Sequence, residues 1–191
     1  LSENPIINAG SGSEEHPTQA LLDLYTILKE KNKIDGLSIA IVGDLKYGRT
    51  VYSLLYGLAH YKVQVHLVSP PTLRIRKESL YDIQGHLKIK EHSTLDEVLP
   101  ETDVIYVTRI QRERFPDVQE YEKVKGTYTI DENTLAKSKS DIVVMHPLPR
   151  VDEISQSIDH TKNAIYFKQA SYGKELRAAL LALMLNENLS R

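Results

Sequence analysis

Residues Leu37–Thr50 read LSIAIVGDLKYGRT, and this stretch decides the fold class. Leu37–Gly43 is an almost unbroken aliphatic run, the pattern of a strand covered on both faces. Gly43–Thr50 then turns the chain. Tyr47–Tyr61 follows with Val51, Leu54, Leu55 and Leu58 at helical spacing. Working outward, the same alternation recurs. Val63–Val68, His86–Lys90, Asp103–Thr108 and Asp141–His146 read as further strands, three of the five being nearly continuous in apolar residues. His16–Lys31 carries a helical stripe at Leu21, Leu24, Tyr25 and Leu28. Lys174–Leu189, following Gly173, is apolar nearly all round and is expected to be a well-buried helix. Such alternation predicts an α/β domain: a doubly wound, mostly parallel five-stranded sheet with helices on both faces, Rossmann-like.

The composition agrees. With 191 residues, 41% hydrophobic and 26% charged, the chain can bury one core. A net charge of −2 creates no basic field for nucleic acid or anionic lipid. The apolar runs fall well short of a membrane span. Cysteine is absent, which excludes disulfides, a thiolate nucleophile and Cys-ligated zinc, and fits a reducing, cytoplasmic setting. The chain opens at Leu1 rather than Met and soon meets Pro5, Ile6 and Ile7. It has no signal peptide pattern and reads as a cut inside a longer polypeptide.

In doubly wound sheets ligands bind beyond the carboxyl ends of the strands, near the switch point. That directs attention to Gly43–Thr50, Ser69–Leu73, Thr108–Phe115 and His146–Arg150. Gly43–Thr50 nearly matches a phosphate loop. However, Arg49 replaces the lysine, and Asp44, Leu45 and Tyr47 would disturb a backbone phosphate cradle. The dinucleotide pattern fails at Leu45. The plain alternative is a tight strand-to-helix turn with Arg49 as a solvated charge. Thr108–Arg114 (TRIQRER) packs three arginines and a glutamine after a strand. Arginine forks suit carboxylate or phosphate, although a solvated charge run balanced by Glu113 explains the motif taken alone. In HPLPR the prolines stiffen a loop that could aim backbone groups at a ligand, or simply end a strand. In HPTQ, Pro17 fits the first helical turn and His16 and Gln19 share a face where the helix dipole favours anions. A capping histidine is the bland account. His60, His66, His86, His92 and His160 show no metal-ligand spacing, and no metal site is expected.

Taken in order, HPTQALLDLYTI, GDLKYGRTVYSLLYGLA, YVTRIQRER, HPLPRVDEI and YFKQASYGKELRAALLALML resemble the carbamoyltransferase family, specifically its aspartate carbamoyltransferase branch. The likeness extends over essentially the whole chain. It implies transfer of the carbamoyl group from carbamoyl phosphate to L-aspartate in pyrimidine biosynthesis, with no cofactor. By resemblance His16 contacts the carbamoyl carbonyl and is the catalytic donor, while Gln19 contacts the amide end. Arg49 and Arg109 grip the aspartate carboxylates, with Gln111 beside them. Leu148 and Pro149 present backbone carbonyls. Ornithine carbamoyltransferases carry H-C-L-P where this chain has His146–Pro149, so ornithine is disfavoured.

The family's S-T-R-T-R phosphate loop and lysine loop do not occur here. The resemblance therefore implies that residues 1–191 are the aspartate-binding domain. Residues 1–31 would include the inter-domain helix, and 174–189 would pack on an N-terminal carbamoyl-phosphate domain. It further implies a homotrimer of whole chains, possibly with a regulatory chain. The alternatives are a catalytically inactive dicarboxylate-binding module of the same family, and a phosphate-loop nucleotide binder.

Overall fold

Five strands, all parallel, form one sheet in the order β3-β2-β1-β4-β5. The computed structural model describes residues 5–11, 15–110, 112, 115 and 117–185. β1 (Ser38–Val42) lies at the centre, with β2 (Gln64–Val68) and β3 (Lys88–His92) on one side and β4 (Val104–Val107) and β5 (Val143–Met145) on the other. The chain winds outward from β1 to β3, then returns to β4 beside β1. The direction in which successive strands are added across the sheet thus reverses between β1 and β4, and the loops leaving these two parallel strands diverge there. Such a crevice is where this architecture places its ligand.

Alternation along the central strands explains why both faces are covered. Ile39, Ile41, Val65, Leu67, Val104 and Tyr106 join one buried cluster with Ile27 of α1 (Pro17–Lys31), Val51, Leu54 and Leu58 of α2 (Arg49–Leu58) and Ile83 of α3 (Lys77–Gln84). Ala40, Val42, Ile105, Val107 and Val144 join a second cluster with Leu95, Val98, Leu99, Ile130, Ile154 and Ile158. Leu135 of α5 (Glu132–Ala136) packs against that second cluster. The expected doubly wound sheet is therefore present, with its second face covered mostly by short turns.

Several boundaries differ from the sequence reading. β3 starts two residues later than expected, because α3 and Gly85 occupy the chain up to that point. The sequence reading missed α3, α4 (Val118–Val124) and α5. They are short, and only Val124 is buried in α4 and none in α5, so they carry no strong stripe. Their caps are local: Asp117 accepts from Gln119 N–H, and Asp131 and Thr134 form a capping box.

α6 departs furthest from expectation. It runs Tyr166–Leu185, beginning well before Gly173. Gly173 lies inside the helix: a Cβ there would come within 3.4 Å of Leu22 on α1 and would collide with the Arg177 side chain. The glycine is a buried interior residue of the helix, in ordinary contact distance of α1, and not a boundary. Only Tyr166, Gln169 and Gly173 of α6 are buried, whereas Leu181, Leu183, Met184 and Leu185 are exposed. The all-round apolar pattern predicted burial. The described chain covers only the first half of the helix, through α1 and β5. Residues 186–189 of the expected helix lie outside the described residues.

Candidate active site

β1 ends at Val42 and is followed by Gly43, whose φ of 112° is one that side chains with a Cβ rarely adopt. An added Cβ would strike the Thr108 carbonyl. Thr108 closes against β1 from the end of β4, its N–H and its hydroxyl both donating to the Val42 carbonyl, at 2.8 and 3.0 Å. The two loops that leave the crevice are thereby pinned together at their roots.

The next residues explain why this is not a phosphate cradle. Asp44 is buried, and its Oδ1 accepts from the N–H groups of Lys46 (3.1 Å) and Tyr47 (2.9 Å). These are amides that a phosphate loop would turn toward its ligand. The carboxylate already satisfies them, and it would repel a phosphate placed there. The turn delivers Arg49 to the first position of α2, at the edge of the crevice. Arg109 follows Thr108 from the other side.

Opposite the arginines stands the loop after β5. The Leu148–Pro149 peptide bond is cis, and Leu148 has a φ of 58°. His146 organises this loop. Its Nδ1 accepts from the Leu148 N–H (2.8 Å) and its Nε2 meets Glu153 Oε1 (2.8 Å). Because Nδ1 accepts, the neutral ring must carry its proton on Nε2 and donate it to Glu153. The other Glu153 oxygen accepts from the N–H groups of Val151 and Asp152, both at 3.1 Å. Burial pushes the Glu153 carboxyl up, but the hydrogen bonds from His146 and the backbone outweigh it and hold its pKa below the ordinary value. Arg150 extends the brace through paired contacts of 2.5 Å to both oxygens of Asp159.

The third wall is the start of α1. His16 precedes Pro17, and its backbone N–H donates to Ser53 Oγ on α2 (2.8 Å), fixing the helix entry over the crevice. Burial lowers the His16 pKa, and the positive charges of Arg49 and Arg177 lower it further. The imidazole is thereby kept neutral near pH 7, with one N–H to donate.

His16, Gln19, Arg49, Arg109, Leu148 and Pro149 line one open cleft of about 410 Å³. The structure thus brings together every site residue expected from the sequence except Gln111, which lies outside the described residues. Sequence reasoning missed several others. Asp44, Tyr47, Thr50 and Thr108 also line the cleft, and Arg177 of α6 lines an adjoining recess with Gln19 and His146. Arg177 had no motif to flag it, and only the packing of α6 on α1 brings it near. The His146–Glu153 pair had one available signal, a histidine and a glutamate flanking a doubly prolyl loop. Among the described residues no group of three or more His, Asp or Glu is placed to hold a metal ion. No helix among them is long and apolar enough to cross a membrane.

The fold and the cleft define an α/β substrate-binding domain whose switch-point crevice, walled by arginines and a neutral histidine, suits a small polyanion. Comparison with known proteins makes this particular. The profile of the aspartate/ornithine carbamoyltransferase Asp/Orn binding domain matches residues 35–184. The profile of the family's carbamoyl-P binding domain matches residues 1–29. The chain is 61% identical over 188 residues to the aspartate carbamoyltransferase catalytic subunit of Nitrosopumilus maritimus, covering 98% of this chain and 61% of that protein. The corresponding subunit of Cenarchaeum symbiosum is 60% identical, with 98% and 60% covered. Among solved structures, the catalytic subunit of M. jannaschii aspartate transcarbamoylase superposes with a TM-score of 0.90 at 50% identity, covering 100% of this chain and 62% of that one. Aspartate transcarbamoylase from Trypanosoma cruzi, in complex with carbamoyl phosphate and aspartate, gives a TM-score of 0.89 at 42% identity, with 95% and 60% covered. The chain belongs to the aspartate/ornithine carbamoyltransferase family. It spans about three-fifths of the length of the relatives it matches.

Proposed function

We propose that this chain supplies the aspartate-binding half of an aspartate carbamoyltransferase and acts together with a carbamoyl-phosphate-binding domain. Residues 35–184 form the aspartate domain on this reading. α1 bridges to the partner domain, and the exposed apolar end of α6 packs on it. The observation that carries the reading is the cleft itself, in which Arg49 and Arg109 face a proline-rigid loop and a neutral histidine. Aspartate brings two carboxylates, and the two guanidinium forks match them. Ornithine would bring a second ammonium, which the same arginines repel.

In the reaction the aspartate amine attacks the carbonyl carbon of carbamoyl phosphate. A C–N bond forms, the bond to the phosphate oxygen breaks, and the surplus amine proton leaves with phosphate. Negative charge grows on the carbonyl oxygen during attack, and His16, neutral with an N–H to donate, stabilises it there. Gln19 and the carbonyls of Leu148 and Pro149 hold the carbamoyl NH₂ and the incoming amine. Gln111 assists Arg109 on the aspartate side. Orientation of the two substrates in one cleft supplies much of the remaining acceleration. The family likeness supports a cytoplasmic homotrimer of longer chains, open to a regulatory partner.

The test is carbamoyl transfer by the two-domain enzyme, offered aspartate and ornithine in competition. Carbamoyl-aspartate as the main product supports the reading. Carbamoyl-ornithine, or no product together with retained succinate binding, refutes it, the latter in favour of an inactive dicarboxylate-binding module.

A further inference from the structure

Behind the cleft wall, sealed between α1, α6 and the sheet, sits an ionisable group that the reaction does not touch. Asp23 has no exposed surface. Its Oδ1 lies 2.8 Å from Gln19 Nε2 and 2.7 Å from Gln169 Nε2. Among the described residues no well-aligned hydrogen bond reaches Oδ2, although the Tyr106 hydroxyl lies close to the carboxyl. Burying a carboxyl this deeply is costly, and an aliphatic residue would pack there more cheaply. The position therefore calls for a reason beyond packing.

The polarity of the contacts supplies one. A primary amide has a donor end and an acceptor end. Gln169 is set by its other contact, because Oε1 receives the backbone N–H of His146 at 2.9 Å, and a backbone N–H can only donate. Its NH₂ must therefore face Asp23, whose Oδ1 is the acceptor. The same oxygen takes the NH₂ of Gln19. Gln19 is thus committed at its donor end, and its carbonyl oxygen is the end that remains for a ligand in the cleft it lines. An acceptor is what the NH₂ of a carbamoyl group requires, whereas a reversed amide would present donor to donor.

We propose that Asp23 is a positioning residue that sets the amide orientation of Gln19, and so lets the site read a carbamoyl NH₂ and reject an isosteric methyl group. Through Gln169 the same carboxyl also steadies the backbone of His146, from which the loop of Leu148 departs. The inference rests on the carbamoyl-transfer reading above. Burial raises the Asp23 pKa from 3.8 to about 7, with the hydrogen bonds from Gln19, Tyr106 and Gln169 opposing the rise. Orientation survives either state, because a protonated carboxyl keeps one oxygen as an acceptor.

Acetyl phosphate differs from carbamoyl phosphate by CH₃ in place of NH₂ and is the probe for this role. In the two-domain enzyme, the ratio of acetyl phosphate to carbamoyl phosphate dissociation constants is measured calorimetrically for the unmodified protein, Asp23→Leu and Asp23→Asn. Asp23→Leu keeps the shape and removes the acceptor. It is expected to lower the ratio about tenfold, the scale of one hydrogen bond to a buried polar group. Asp23→Asn, with its acceptor oxygen intact, is expected to preserve the ratio. Where Asp23→Leu does not fold, Asp23→Thr carries the same test, since its hydroxyl is one bond shorter and falls short of both amides. An unchanged ratio in the leucine or threonine variant overturns the proposal, as does loss of the ratio in Asp23→Asn. If the unmodified enzyme prefers carbamoyl phosphate and Asp23→Leu keeps that preference, this inference alone falls. If the unmodified enzyme shows no preference, this inference falls as well, whereas the carbamoyl-transfer reading falls only on the product assay above.

Discussion

Glu153→Gln alters one atom and one charge, yet the structure leaves it no comfortable arrangement. Three hydrogen-bond donors converge on the carboxylate: His146 Nε2–H, Val151 N–H and Asp152 N–H. A glutamine offers one acceptor oxygen and one NH₂. If the oxygen faces His146, the NH₂ faces two backbone donors. If it faces the backbone, the NH₂ meets the imidazole. The ring cannot relieve this by moving its proton to Nδ1, because Nδ1 already accepts from Leu148 N–H. A donor left facing a donor costs about 1–3 kcal/mol, and loss of a charge-assisted contact in a buried pair adds to it. The expected destabilisation is about 2–4 kcal/mol by these principles. The assay is urea unfolding followed by circular dichroism, paired with turnover of the two-domain enzyme. Turnover should fall more than stability alone explains, since the Leu148 loop loses its anchor. A stability change within about 0.5 kcal/mol, the ordinary scatter of neutral substitutions, would refute the tautomer argument.

Four further outcomes are expected. Arg109→Ala should weaken aspartate use by about 2–4 kcal/mol, the scale of a lost charge-assisted contact in a site; an unchanged aspartate KM in steady-state kinetics removes it from that role. His16→Ala should lower kcat by about 10²–10³ with little change in aspartate affinity, because its contact strengthens as oxyanion charge grows; a normal kcat contradicts this. Gly43→Ala should destabilise the chain by about 2 kcal/mol or more, since φ is unfavourable and the methyl group meets the Thr108 backbone; a melting temperature equal to that of the parent would show that the crossing of the two loops is loose. Asp23 binds its proton more tightly folded than unfolded, so its contribution to stability is greatest below pH 3.8 and is lost as pH rises toward about 7. At about 1.4 kcal/mol for each pH unit between these values the loss reaches about 4 kcal/mol. Asp23→Asn should accordingly gain stability relative to the parent between pH 5 and pH 8, and parallel pH–stability curves for the two would contradict the raised pKa.

The run Leu37–Thr50 carried its own answer, because a strand buried on both faces must be apolar at every position and a glycine must stand where φ turns positive. These are local demands, and they make the parallel sheet and the site loops legible in the sequence. The arginines and prolines of those loops were equally visible, since their chemistry belongs to the single residue. Pairings between distant segments were not. Nothing local in Asp23 says that Gln169, far along the chain, will meet it, nor that Arg177 will stand near His16. Asp44 looked like an objection to phosphate binding and proved to be the group that caps the turn. Gly173 looked like a helix boundary and proved to lie inside α6, on its buried face. The apolar half of α6 looked like core, although the described chain leaves it exposed. Periodicity records that a face is to be covered, not what covers it. Sequence alone determined the alternation of the five strands with the longer helices and the reactive residue types, which follow from backbone sterics and side-chain chemistry within a few residues. Tertiary structure decided which polar groups share a proton or a hydrogen bond, because that depends on ångström-scale distances that only the packed chain sets.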